Sequence, residues 1–334
     1  MPQTVAIDAR DAHAAEIRGW GRYARELVGA LAKRDDPFAY AFLDGGGRLE
    51  VAWEQVGLPR ELKRQRAALI HSPNCFLPLR RPCPGVVTVH DLAFETHRDD
   101  FPAKTGLKFR YFARRAARGA EGVIVPSEFT KADLVERYGV DAARVRVIAE
   151  APTLPVTAAE PPAGPYLLAV GDLRRKKNLA RLVGAFRTLR SEGMPHRLLL
   201  AGSDSGEGAR LRALAGDAPV ELLGYVDDER LDALMRGTDL LVHPSLYEGF
   251  GLVIVEAMAR GTPVAASNAG ALPETAAGAA VLFDPESEED IARGIREGIR
   301  DAASLAERGR ARAAGLSWEQ TAEATAAVYG ELLP

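Results

Sequence analysis

The chain has 334 residues, 47% hydrophobic and 27% charged, with a formal charge of −3. At roughly 150 residues per domain the length suggests two domains, and the composition excludes disordered and fibrous chains. Residues 1–160 carry 24 Lys and Arg against 21 Asp and Glu, and residues 161–334 carry 19 against 25; so weak a polarity argues against nucleic acid as the main partner. The longest apolar stretches, such as Leu252-Val253-Ile254-Val255, fall far short of the roughly 18 residues a transmembrane helix requires. Residues 1–8 lack a basic segment followed by an apolar one, so they read as a first strand and not as a signal peptide, and the expected location is the cytoplasm. Cys75 and Cys83 stand in neither a CxxC pair nor a Cys/His cluster, which leaves a thiolate metal site unsupported.

Short apolar runs alternate with helical patterns in chain order, the signature of parallel sheets covered by crossover helices. The first half predicts strands at Val5–Asp8, Ala39–Leu43, Ala68–His71, Val86–His90, Gly122–Val125 and Val145–Ala149, with helices near 20–33, 105–119 and 127–138. The Gly45-Gly46-Gly47 run reads as a loop tip. Residues 151–165 contain five prolines and can continue neither a helix nor an inner strand, so they read as a linker. A second doubly wound unit follows, with strands at Tyr166–Val170, Arg197–Ala201, Val220–Leu223, Leu240–His243, Pro263–Ala266 and Ala280–Phe283. Ser317 as N-cap, with Gln320 three residues on, opens a final amphipathic helix. The expected domains are 1–155, 156–316 and a C-terminal helix over 317–334.

In open α/β sheets ligands bind beyond the carboxyl ends of the strands. After the strand ending at His243 come Glu248-Gly249-Phe250-Gly251-Leu252 and, eight residues past the first glutamate, Glu256. Glycines let backbone approach a ligand closely, and free N–H groups at a helix start near Gly251 suit a phosphate.

This stretch resembles the retaining glycosyltransferases of the GT-B fold, family four (glycosyl transferases group 1), whose hallmark is a Glu-x7-Glu signature containing Glu-Gly-Phe-Gly. Gly171-Asp172-Leu173-Arg174-Arg175-Lys176-Lys177-Asn178 resembles that family's diphosphate segment, Leu223 to Asp228 its base-binding stretch, and Ser267 to Glu274 the segment that usually follows. In the first half Ile7–Arg10, Gly19–Tyr23, Thr88–Leu92 and Pro126–Thr130 match as well. The resemblance covers nearly the whole chain. It implies an α/β architecture of two Rossmann-like doubly wound domains facing across a cleft, with the first on the acceptor side, the second binding the nucleotide sugar, and the C-terminal helix crossing back to the first domain.

By that resemblance Glu256 holds the ribose hydroxyls, which suits a carboxylate able to accept two hydrogen bonds from a cis-diol. Glu248 contacts the donor sugar or lies against the reacting centre, while Gly249, Phe250, Gly251 and Leu252 offer backbone N–H groups. Lys177 is the diphosphate cation, a point charge suited to a departing nucleoside diphosphate; Arg174 lies in the same four-cation run, which is otherwise an ordinary solvated face. Asp172 stands where many relatives carry a phosphate-binding arginine. Tyr225 and Val226 flank the base. His90 touches the donor sugar near the anomeric carbon, and Gly19 and Gly21 bracket a loop that lets backbone approach the phosphates. His71 and Asp91 face the acceptor.

The implied reaction is retaining transfer of a hexose from a UDP- or GDP-linked donor to a hydroxyl of a saccharide or lipid-linked acceptor, by attack from the face the leaving group vacates. No cofactor is expected. No Asp-x-Asp pair occurs, so cations and helix N-termini are expected to replace a metal ion. Residues 101–120 carry Lys104, Lys108, Arg110, Arg114, Arg115 and Arg118 with Phe109, Tyr111 and Phe112 between them, and no acidic residue. The run resembles an interfacial helix at the inner face of the cytoplasmic membrane; the alternative is a helix whose aromatics pack on the sheet beneath a solvated basic face. Rival readings are a nucleotide-sugar epimerase or phosphorylase on a similar fold, and a catalytically silent sugar-nucleotide binder.

Overall fold

The computed structural model describes residues 2–13, 19–45 and 50–333. Gly46 and Gly47 of the expected loop tip lie outside them. The chain divides into two units, Met1–Thr153 with Ser317–Pro334, and Leu154–Leu316.

The first unit holds six parallel strands: β1 (Thr4–Asp8), β2 (Ala39–Leu43), β3 (Leu69–Ser72), β4 (Gly85–Thr88), β5 (Gly122–Val125) and β6 (Val145–Val147), in the order β2-β1-β3-β4-β5-β6. The inner strands are apolar along their length because helices cover both faces; Val5, Ala6, Ile7, Val86, Val87, Val123 and Ile124 are fully buried. Strand order reverses between β1 and β3, which makes the loops after these two strands the place for a ligand. β4 ends two residues before His90, after its ladder closes with the Val89 N–H donating to the Ile124 carbonyl at 2.9 Å.

Gly19 and Gly21 correct the sequence reading. They lie in the first turn of the helix Gly19–Leu31 and not in a loop, and Gly21 is buried against the fold. Residues 14–18, which precede them, lie outside the described residues.

The final helix, Trp318–Leu332, belongs to the first unit. Ser317 caps it by accepting from the Gln320 N–H at 3.2 Å. Trp318 Nε1 donates to the Pro152 carbonyl at 3.0 Å and the Thr321 hydroxyl to the Ala149 carbonyl at 2.8 Å. Farther along, the Tyr329 hydroxyl meets His71 Nδ1 at 2.6 Å.

The second unit repeats the plan with β7 (Tyr166–Val170), β8 (Arg197–Ala201), β9 (Val220–Gly224), β10 (Leu240–His243), β11 (Val264–Ser267) and β12 (Val281–Phe283), in the order β12-β11-β10-β7-β8-β9, again all parallel. Its reversal falls between β7 and β10. The proline-rich segment is not free along its length: Leu154 is buried, and Leu154 to Thr157 are bonded to the second unit through Glu256, Arg260 and Asp232.

Candidate active site

The switch point of the second sheet brings together the turn after β7 and the loop after β10. Gly171 leaves β7 with φ +140°, a conformation that favours glycine, and the stem of Lys177 lies across the strand end, its Cε 2.9 Å from where a Cβ would stand. Arg175–Lys177 form one 3-10 turn, closed by Asn178 in the left-handed conformation. Asn178 is buried, and its amide donates to the Pro244 carbonyl at 3.1 Å and the Pro285 carbonyl at 2.7 Å. The Leu246 N–H donates to the Lys176 carbonyl at 2.8 Å. Turn and loop are thereby fixed to each other.

The loop is held from its other side too. The Ser267 hydroxyl donates to the Ser245 carbonyl and the Thr275 hydroxyl to the Phe250 carbonyl, both at 2.5 Å, and the Ala271 N–H donates to the Glu248 carbonyl at 3.0 Å. Gly251, at φ +96°, ends the loop as N-cap of the helix Leu252–Ala259; a Cβ there would fall 2.5 Å from Leu272. Gly249, Phe250 and Gly251 are buried, and Leu252 begins the helix half-buried, so the backbone N–H groups at that end stand on a rigid frame.

Glu248 is the centre of this frame. Its Oε1 accepts from Lys177 Nζ at 2.6 Å and lies 3.2 Å from His243 Nε2, while Lys176 Nζ is 4.0 Å from its Oε2. The Ser245 hydroxyl lies 3.2 Å from the same imidazole nitrogen. Burial alone would raise the Glu248 carboxyl, but Lys177, Lys176 and His243 outweigh it and hold the pKa well below the usual carboxylate range. Burial keeps the His243 pKa below its usual value; Glu248 opposes that, and the two lysines reinforce it.

The sequence reading missed His243 and Lys176. His243 looked like the last residue of a strand, and only the register of β10 shows it facing back to Glu248. Lys176 sat inside a cationic run in which a single 3-10 turn, lacking helical periodicity, gives no sign of which side chain turns inward.

Glu256 lies on the helix that the loop feeds. Both its oxygens accept from the Leu154 N–H, at 2.9 and 3.1 Å, and Arg260 reaches Oε2 at 3.2 Å. Arg260 also pairs with Asp232 at 2.7 Å and donates to the carbonyls of Leu154 and Pro155. The glutamate therefore has a structural duty toward the incoming segment that its motif did not reveal. Arg174 reaches Asp172 at 3.4 Å. Tyr225 is exposed and Val226 half-buried in the turn after β9.

In the first unit His90 is nearly enclosed. Its Nδ1 lies 2.9 Å from Glu150 Oε1 and its Nε2 is 2.9 Å from the Pro73 carbonyl. Burial would lower its pKa, but the Glu150 carboxylate and the Pro73 carbonyl outweigh it and raise it. Both partners accept only, so the protonated ring is the form that engages both with its N–H groups. Asp91 accepts from the Ala93 N–H at 3.0 Å and is half-buried.

His71 does not face an acceptor. It is fully buried, with Nδ1 at the Tyr329 hydroxyl and Nε2 2.8 Å from the Thr88 hydroxyl. Burial, with the nearby His90 charge, pushes its pKa down to about 3. A neutral imidazole between two hydroxyls ties the last helix to the sheet. Among the described residues no group of three or more His, Cys, Asp or Glu is arranged to hold a metal ion.

Two doubly wound parallel sheets, each with a switch point in its strand order, define the GT-B class of fold. Residues 153–314 match the model of the glycosyl transferases group 1 family and residues 36–150 that of glycosyltransferase family 4; the chain is a GT-B glycosyltransferase of group 1. O-antigen chain mannosyltransferase B of Escherichia coli is 29% identical over 288 residues, covering 80% of this chain and 75% of that protein. Glycogen synthase of Mycobacterium tuberculosis is 32% identical over 278 residues, 78% of this chain and 66% of that one. Among solved structures, sucrose-phosphate synthase from Thermosynechococcus elongatus superimposes with a TM-score of 0.74 at 24% identity, over 99% of each chain. Anabaena Alr3699/HepE, solved with UDP and glucose, gives 0.71 at 20% identity over 99% of this chain and 100% of its own.

Proposed function

We propose that this glycosyltransferase moves a hexose from a UDP- or GDP-linked donor to a hydroxyl of a saccharide or lipid-linked acceptor, with retention of configuration and without a metal ion. The observation that carries the reading is the cluster at the switch point of the second sheet, where Lys177 and Lys176 converge on Glu248 beside a helix N-terminus. Two ammonium groups and the free N–H groups of a helix start supply the charge that a departing nucleoside diphosphate needs, which a bound cation would otherwise provide. The structural relative solved with UDP-glucose has the same fold.

Glu248 held ionised cannot act as a proton donor, and paired to Lys177 it is a poor nucleophile. Same-face attack asks neither role of it. In that route the bond between the anomeric carbon and the phosphate oxygen breaks, the acceptor oxygen bonds to the same face, and the acceptor's proton passes to the leaving phosphate oxygen. Glu248 then orients the sugar through its hydroxyls, Lys177 stabilises the phosphate charge, and Glu256 accepts from the ribose hydroxyls.

Thermal-shift titration with UDP, GDP, ADP and dTDP tests the donor side, because a ligand that binds only the folded state raises the melting temperature. One nucleotide should raise it selectively, and Glu256→Gln, which keeps an acceptor for the Leu154 N–H, should lose most of that rise. No shift with any nucleotide would overturn the reading.

Contact with an anionic membrane surface is the second element of the proposal. On the helix Ala103–Gly119 the side chains of Leu107 and Tyr111 are exposed, and Lys104, Arg114, Arg115 and Arg118 share their exposed side. An apolar pair framed by cations suits a layer of acidic headgroups above acyl chains.

A further inference from the structure

We propose that His243 is a positioning residue of the donor site which takes up one proton when Lys177 leaves Glu248 for the donor's diphosphate. The inference rests on the donor-site reading above. Glu248 Oε1 has two close partners of different kinds: Lys177 on a flexible four-carbon stem, and His243 fixed at the end of β10 with only 2% of its surface exposed. An ammonium drawn to a diphosphate no longer serves that oxygen at full strength. The buried carboxylate would then lose its nearest cation just as two further negative charges arrive, and a buried carboxylate without its partner is costly.

His243 is the side chain already in contact that can supply the missing charge. The Glu248 oxygen only accepts, so the contact places a proton on Nε2 even in the neutral ring, and the second proton goes to Nδ1. It comes from the buffer; no bond to carbon is made or broken. The charged groups facing the ring are Glu248 from the loop after β10 and Lys177 and Lys176 from the turn after β7, with the Ser245 hydroxyl as a neutral neighbour. Without donor the two cations favour the neutral ring, and a diphosphate that neutralises them removes that bias. Glu248 stays anchored through Oε1 in both states, which leaves Oε2 for the sugar. Donor affinity should therefore weaken as pH rises through the window in which His243 titrates, by up to about tenfold per pH unit for one whole proton.

Calorimetric titration of the full chain with UDP-glucose and with GDP-mannose, in buffers of low and high ionisation enthalpy at neutral pH, reads the proton count directly. The phosphates of these donors do not titrate near neutrality, so they add nothing to it. Wild type should take up a substantial fraction of a proton per donor bound, up to about one. His243→Gln, whose amide can still donate to Glu248, should bind donor and take up none, whereas His243→Leu should lose more kcat than His243→Gln. Donor binding without proton uptake in wild type, or uptake that persists in His243→Gln, would overturn the assignment. Failure of both donors to bind would instead bring down the donor-site reading, and this proposal with it.

Discussion

Four side chains show how environment and not residue type decides a role. Glu248 and Glu256 belong to one motif, yet one is clasped by two lysines and a histidine and the other by a backbone N–H and Arg260. His71 and His90 diverge more sharply: burial and the nearby His90 push the His71 pKa down to about 3, while Glu150 and the Pro73 carbonyl raise that of His90. The folded pKa of His71 lies below its unfolded value of 6.5, so its stabilisation is present above that pH and is lost as pH falls toward 3. The His90 contribution has the opposite sign and is lost as pH rises through its raised pKa. Below pH 6.5 the free energy of unfolding should fall in part by about 1.4 kcal/mol per pH unit on account of His71. Denaturant titrations between pH 7 and 5 should show that slope reduced in His71→Gln; an unchanged slope would show that the buried imidazole is not its source. The motif residues were legible because their spacing is a property of the chain. His243, Lys176 and the duty of Glu256 toward Leu154 were not, because each depends on a partner brought in by strand register or by a turn of fewer than four residues.

Secondary elements were the most legible level. β2, β5, β7, β8 and β10 fall on the residues expected of them, because buried parallel strands are short apolar runs bounded by polar or turn residues. Ends were less legible: β4 stops short of His90, and the helix that was to follow a glycine loop already begins at Gly19. Both differences arise where hydrogen bonding decides, at the last rung of a ladder and at the first turn of a helix. The helix Ala103–Gly119 shows the packing that one of its two sequence readings requires. Phe109 is buried and packs against Phe76 and Phe94, as the packed alternative requires, while Tyr111 remains exposed with Arg115 stacked on its ring at 4.5 Å. Arg118 is drawn back to the Tyr138 carbonyl at 2.6 Å. The outward cations are the ones to test. Sedimentation with vesicles containing phosphatidylserine should capture the wild type at physiological salt, and Arg114→Glu with Arg115→Glu should release it, at roughly 1 kcal/mol for each basic residue removed. No capture by such vesicles would remove the membrane from the account.

At the scale of the whole molecule, two sheets of the same winding are built from unlike material. Beyond the carboxyl ends of the first sheet's strands lie groups already paired within the unit, such as His90 with Glu150 and Asp8 with Arg10 at 2.6 Å. The second sheet's crevice concentrates cations on one carboxylate, a charge arrangement that an incoming diphosphate can redistribute. That contrast supports the proposal that nucleotide-sugar chemistry belongs to Leu154–Leu316. The assignment is tested most directly by following nucleoside diphosphate release from UDP-glucose and from GDP-mannose, in wild type and in Lys177→Met, with and without added saccharide acceptors. The account predicts slow release from one donor by the wild type, faster release when a fitting acceptor is present, and a fall of roughly 10²- to 10³-fold in Lys177→Met, the range seen when one preorganised transition-state donor is removed. Wild type that binds nucleotide yet releases no diphosphate from either donor, or a Lys177→Met variant that turns over as fast as wild type, would contradict it.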